Sequence, residues 1–309
     1  MEDNLNTTKK RFDRHNLILW ILAVMIFWDF LFNLIGGVIF DPEFIGVGKL
    51  LSLSSGYQFT FEYYLITLPT FIGFIVFTAA TKRNRFVLES ILPGYKNNKV
   101  SWLFKGLLVG FVMNIGCILL ALLHGDIKLV LHFAASELPL FAFALVCVFI
   151  QSSSEEFWTR GFIYERVNVR YPLWVAILVN GLFFGALHIF NDGVGFLPIL
   201  DICICGISFS LAKWYSGSIW FPMGIHTAWN FTQNYLFGLP NSGLVSEASV
   251  FALDASTARD SWIYNYAFGV EGAIPAVVSD LLLGAVCLYL AWKQGRLGEL
   301  KQRLGAAGS

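Results

Sequence analysis

Directly behind an apolar run from Leu138 to Ile150 the chain reads Ser152-Ser153-Ser154-Glu155-Glu156-Phe157-Trp158-Thr159-Arg160. Two adjacent carboxylates and a guanidinium at that depth are costly in lipid and mark function, with partners close by. On a helix Glu156 and Arg160 are i and i+4 and pair with each other. Glu155 then points ~100° further round and faces something else. A carboxylate freed in this way, in a low-dielectric pocket, suits a general base. The competing explanation is a structural charge cluster at a helix end, with Arg160 reaching the cytoplasmic interface.

Three further groups are candidate partners. His188 closes Phe184-Gly185-Ala186-Leu187-His188, which puts Phe184 and His188 on one helical face. Asn180 lies on the same face and hints at a polar stripe. His226 and Asn230 are again i and i+4. Such a pair either glues membrane helices together or donates to a developing oxyanion.

The elements that position these residues follow from composition. Of 309 residues 56% are hydrophobic and only 14% charged, against about 25% charged in a soluble domain. The expected fold is therefore all-α, a polytopic membrane protein with about eight transmembrane helices around a polar intramembrane cavity. Apolar runs able to span, at ~20 residues each, fall near 16–40, 59–81, 102–123, 138–159, 173–190, 197–213, 218–237 and 274–292. The whole chain, 1–309, reads as one transmembrane domain with a catalytic core over 138–237. Net charge is zero and there is no basic domain, so nucleic acid is excluded as a partner. The five cysteines all lie in apolar stretches and read as packing residues.

Eighteen of the twenty-one Lys and Arg fall before the first span, after the last, or in loops on the same side, including Lys9, Lys10, Arg11 and Arg14. By the positive-inside rule both termini are cytoplasmic. The opposite side carries the long connection from Gly238 to Gly272, with Glu247, Asp254, Asp260 and Glu271. Its Trp262, Tyr264, Tyr266 and Phe268 suit an interfacial anchor.

Depth joins the polar groups. Glu155 precedes Tyr171 by sixteen residues, and His188 follows Pro172 by sixteen. In an antiparallel hairpin turning at Tyr171-Pro172 both lie ~24 Å from the turn. The helix from Ser218 carries His226 and Asn230 towards the same layer. Asp29 with Asn33, Asp201, and Asp280 with Ser279 are read instead as helix–helix hydrogen-bonding groups or residues near an interface, with lining of the cavity or substrate route as the alternative.

Glu155-Glu156-x-x-x-Arg160, Phe184-x-x-x-His188 and His226-x-x-x-Asn230 together resemble the three motifs of the CPBP family of intramembrane proteases. These are the CAAX-protease, bacteriocin-processing, ABI or Rce1-like proteins. The resemblance implies endopeptidase activity in the membrane on a membrane-associated peptide or protein. It implies that Glu155 and His188 activate water, that His226 and Asn230 hold the oxyanion, and that Glu156, Arg160 and Phe184 support them. No cofactor is favoured; zinc on Glu155, His188 and His226 is the alternative, without a His-Glu-x-x-His spacing behind it. A bacterial cell membrane is the expected location. Prenylated CAAX proteins and bacterial peptides both remain open as substrates. The competing functions are a non-proteolytic scaffold or regulator of the bacteriocin-immunity type, and a proton-coupled transporter, which lacks the expected repeated half.

Overall fold

The computed structural model describes residues 14–303 apart from residue 247. Lys9, Lys10, Arg11 and Glu247 lie outside the described residues. Eight apolar helical elements run in chain order. They are α1 (Ile18–Phe40), α2 (Ser55–Ala80), α3 (Val100–His124), α4 (Ala135–Arg170), α5 (Leu173–Leu187), α6 (Phe196–Ser216), α7 (Trp220–Phe231) and α8 (Ile274–Lys293). Six of these are long and apolar enough to cross a membrane; α5 and α7 are shorter. Among the described residues the expected all-α membrane fold is present, with eight apolar helices of which six reach spanning length. The two short elements are the ones that carry His188 at their end and His226 within.

The short α7 is enclosed on most sides. It packs most extensively against α3, and next against α4. Gly106 and Gly110 allow the close approach to α3: a Cβ at either position would run into the carbonyl oxygen of Phe221 or Ile225. Small residues four apart let membrane helices touch backbone to backbone, and here they fix the height of His226. The same device joins α5 to α6, where a Cβ on Gly206 would lie 2.7 Å from the Gly181 Cα. The α4–α5 turn is where the sequence places it, with Tyr171 extended and Pro172 capping α5.

Two features depart from a plain helical bundle. A small antiparallel sheet pairs β1 (Leu129–Leu131) with β2 (Phe251–Leu253), tying the 238–272 connection to the start of the α3–α4 loop. That connection is folded in rather than laid on an interface. Tyr264 and Phe268 are fully buried, while Trp262 and Tyr266 stay exposed, so only half of the expected aromatic anchor faces outward.

The second departure lies within α4. Its α-helix ends at Glu156 and continues as a π-helix over Phe157–Ile163 before α-geometry resumes at Tyr164. Further π-helical stretches occupy Thr60–Tyr64 in α2 and Thr232–Leu236 after α7. Such segments are rare and collect at functional sites. The one in α4 starts at the residue after the two carboxylates.

Candidate active site

A cavity of about 300 Å³ opens between these helices. Glu155, His188, His226 and Asn230 all line it. Glu156 and Arg160 do not; they form the wall behind it and are completely buried. The two adjacent carboxylates are thus separated by the helix, one facing the cavity and one facing protein.

Arg160 Nη1 donates to Glu156 Oε1 at 3.0 Å. Its guanidinium also lies 4.4 Å from the centre of the Phe184 ring and 5.4 Å from that of Phe209. Both approaches bring the cation onto an aromatic face, where the ring quadrupole attracts it. Arg160 is therefore not at an interface. Lys213 Nζ, from α6, donates to the Arg160 carbonyl oxygen at 2.6 Å. The same ammonium donates to Glu165 Oε1 at 2.6 Å, so a buried cation ties the irregular segment to the α-turn that follows it.

Glu156 has a second partner that helical spacing did not predict. His226 Nδ1 donates to Glu156 Oε1 at 3.1 Å, while its Nε2 stands 3.7 Å from Glu155 Oε2. The imidazole bridges the two carboxylates. The Nδ1 contact fixes the tautomer and ring plane, as a carboxylate does for a working histidine. The Nε2 separation is too long for a hydrogen bond and leaves both atoms available to a third group.

Gln151 holds Glu155 from the other side. Its Nε2 donates to Glu155 Oε1 at 2.6 Å, and its Oε1 accepts from Asn230 Nδ2 at 3.2 Å. Asn230 Oδ1 in turn accepts from Asn241 Nδ2 at 3.3 Å. A chain of amides thus runs from the 238–272 connection to the carboxylate. The Glu155 side chain keeps 18% of its surface exposed, all the freedom this setting leaves it.

His188 sits at the C-terminal cap of α5, not inside a helix, with φ −95° and ψ 4°. That bridge region of backbone space is thinly populated and frequent among active-site residues. Its Nδ1 donates to the Phe184 carbonyl at 2.8 Å, so Nε2 carries the free lone pair. Phe184 also stacks edge-on against His188, with ring centres 4.9 Å apart. It therefore orients two groups of the site, Arg160 and His188, from one position. Asn180, read as part of the same polar stripe, instead accepts from Ser210 Oγ at 3.1 Å and joins α5 to α6.

Among the described residues no three His, Cys, Asp or Glu side chains converge as a bound metal would require. Glu155, His188 and His226 share the cavity without adopting that arrangement, and the His226 Nδ1 is already committed to Glu156.

The cavity also holds groups that sequence reasoning placed elsewhere. Asp29, Asn33, Asp201 and Asp280 line it. Asp280 both lines the cavity and has the Cys205 thiol of α6 beside it, while Asp29 and Asn33 pair at 2.9 Å within α1 and face the cavity. The available signal was the cost of any lone carboxylate in a membrane helix. Gln151 and Asn241 carried no such signal, because a neutral amide is far cheaper to bury than a carboxylate.

The apolar helices enclosing this polar cavity define an integral membrane protein. Residues 136–232, from the start of α4 to just beyond α7, match the family model described as type II CAAX prenyl endopeptidase Rce1-like. The matched segment contains Glu155, Glu156, Arg160, Phe184, His188, His226 and Asn230. A curated relative, the uncharacterized protein YyaK of Bacillus subtilis, is 31% identical over 144 residues. That match covers 43% of this chain and 48% of YyaK, so it spans about half the length of the relative.

Proposed function

We propose that this protein is an intramembrane endopeptidase that hydrolyses a peptide bond of a membrane-associated substrate with a water activated by Glu155 and His188. The observation that supports this most directly is the placement of Glu155. It is the partly exposed carboxylate of an otherwise buried pair, held at one oxygen by Gln151 and open at the other beside His226. On this reading Glu155 takes a proton from water as the oxygen bonds to the scissile carbonyl carbon. The proton passes to the leaving nitrogen as the C–N bond breaks, with the Nε2 of His188 available for the transfer. His226, oriented through Nδ1 by Glu156, stabilises the oxyanion from its Nε2 side. Asn230 has one amide hydrogen beyond the one given to Gln151 and presents it likewise. Arg160 pairs with Glu156, and Glu156 keeps His226 oriented.

The reaction on this reading uses no metal, and both termini lie in the cytoplasm of a bacterial cell. The test is cleavage of membrane peptides by the purified full-length protein in liposomes. Glu155→Gln is expected to lower turnover by a factor of about 10²–10⁴, the usual worth of a general base, with an unchanged thermal transition. A chelator is expected to leave the wild type active. Normal turnover by Glu155→Gln would remove Glu155 from the reaction, and loss of activity with chelator, restored by metal, would replace the metal-free route.

A further inference from the structure

The cavity has a second wall, formed by α6, α8 and the turn before α8, that the reaction above leaves unused. Asp201 on α6, Asp280 on α8 and Glu271 in the Val270–Gly272 turn all face the cavity from that side. With Asp29 and Glu155 this makes five carboxylates around about 300 Å³, and among the described residues that line it there is no Lys or Arg.

Asp201 is the sharpest case. It is 2% exposed, and its Oδ1 has no hydrogen-bond partner among the described residues. A buried carboxylate oxygen without a hydrogen-bond partner is costly to keep. It is not needed for packing: Ser208 Oγ already ties α6 to α8 through the Asp280 carbonyl, at 2.7 Å. Glu271 differs, because its carboxylate accepts from the Ser242 backbone N–H and from Trp229 Nε1.

We propose that Asp201 and Asp280 form a subsite for a cationic group of the substrate, the ammonium or guanidinium of a peptide, held across the cavity from Glu155. The inference rests on the endopeptidase reading and adds a substrate class to it. A peptide cation fits better than a metal ion, since no three ligating side chains converge among the described residues. The surroundings suit a long basic side chain, whose methylene stem lies on apolar surface while its head stays polar. Ile202 and Phe184 line the cavity as that apolar surface, and Asp201 supplies the unpartnered oxygen.

The test measures binding, apart from turnover, on full-length protein carrying Glu155→Gln in nanodiscs of neutral lipid. The probes are fluorescent apolar decapeptides, N-acetylated, with Lys, Arg, norleucine or Glu placed in turn at each position. Lys and Arg peptides are expected to bind at least tenfold more tightly than the norleucine peptide at one or two positions, and Glu peptides more weakly still. Asp201→Asn, Asp280→Asn and the double variant are each expected to cut that preference to under twofold; the single variants keep the comparison if the double fails to fold. A preference for free over acetylated N-termini, lost in the same variants, assigns the subsite to a terminal ammonium. Equal binding of Lys and norleucine peptides at every position, with no preference for a free N-terminus, overturns the proposal. A cationic preference that survives the Asn variants overturns it too. If the preference appears but the wild type cleaves none of these peptides, the subsite stands and the protease reading falls.

Discussion

On the α4–α7 wall each carboxylate is engaged: Glu156 with Arg160 and His226, Glu155 with Gln151. On the α6–α8 wall Asp280 has only the Cys205 thiol beside it, and Asp201 leaves an oxygen bare. On the first wall Glu156 and Arg160 answer each other's charge, although Glu156 Oε2 and two guanidinium nitrogens make no hydrogen bond among the described residues; on the second, no Lys or Arg among the described residues lining the cavity faces Asp201 or Asp280. A partnered charge is geometry held ready. An unpartnered one is a demand that something else must meet. The first wall suits groups that must not move, and the second suits a group that arrives with the substrate.

Removing one member from each wall separates the two most strongly through stability. Arg160→Met strands the buried Glu156 carboxylate and is expected to cost about 3–5 kcal/mol, read as a lowered thermal transition in detergent. A transition close to wild type would show that Glu156 does not depend on its arginine. Gln151→Leu tests positioning on the same wall. Turnover is expected to fall about tenfold, equivalent to ~1.4 kcal/mol, with KM unchanged because the substrate site is intact. A rise in KM without loss of kcat would make Gln151 a binding residue instead.

Asp201→Asn should behave in the opposite sense to Arg160→Met. Stability is expected to stay level or rise by up to about 1 kcal/mol, since the variant removes a charge and breaks no hydrogen bond. A marked loss would reveal a structural partner for Asp201. The smallest effect concerns Glu271, outside the spans. Burial pushes its carboxyl from 4.5 up to about 7. Between those values the folded protein keeps a proton that the unfolded chain has released. Its contribution to stability is therefore full below pH 4.5 and is lost as pH rises through about 7. Glu271→Gln is expected to flatten the melting profile across that window; an unaltered slope would assign the pH dependence to other groups.

Much of the first wall was legible in the sequence because its groups recur at helical spacing. Glu156 and Arg160 at i, i+4, and the equal sixteen-residue arms around Tyr171-Pro172, lead to a shared cavity for Glu155 and His188, which the structure has. The second wall is built from single carboxylates on separate elements, and no spacing links Asp201 to Asp280. Asn241 reaches Asn230 only through the folding of the 238–272 connection, which periodicity does not describe. Gly106 and Gly110 did carry a readable pattern, small residues four apart on an apolar helix, but what they pack against is tertiary. The early end of α5 was hidden as well, because Phe184 to His188 has the spacing of an unbroken helix.

The π-helical stretch Phe157–Ile163 changes how related chains are to be compared. A π turn holds more residues than an α turn, so it leaves a mark in residue count as well as in shape. Glu155 and Glu156 lie before it, and Glu165, which takes the Lys213 ammonium, lies after it. A relative one residue shorter between those points would keep both carboxylates yet turn the following arm by about 100°. Its counterpart of Glu165 would then miss the lysine, and the Arg160 carbonyl would have to find another donor. Counting residues between the two acidic motifs, before matching their identities, therefore separates relatives that share this local geometry from those that share only its letters.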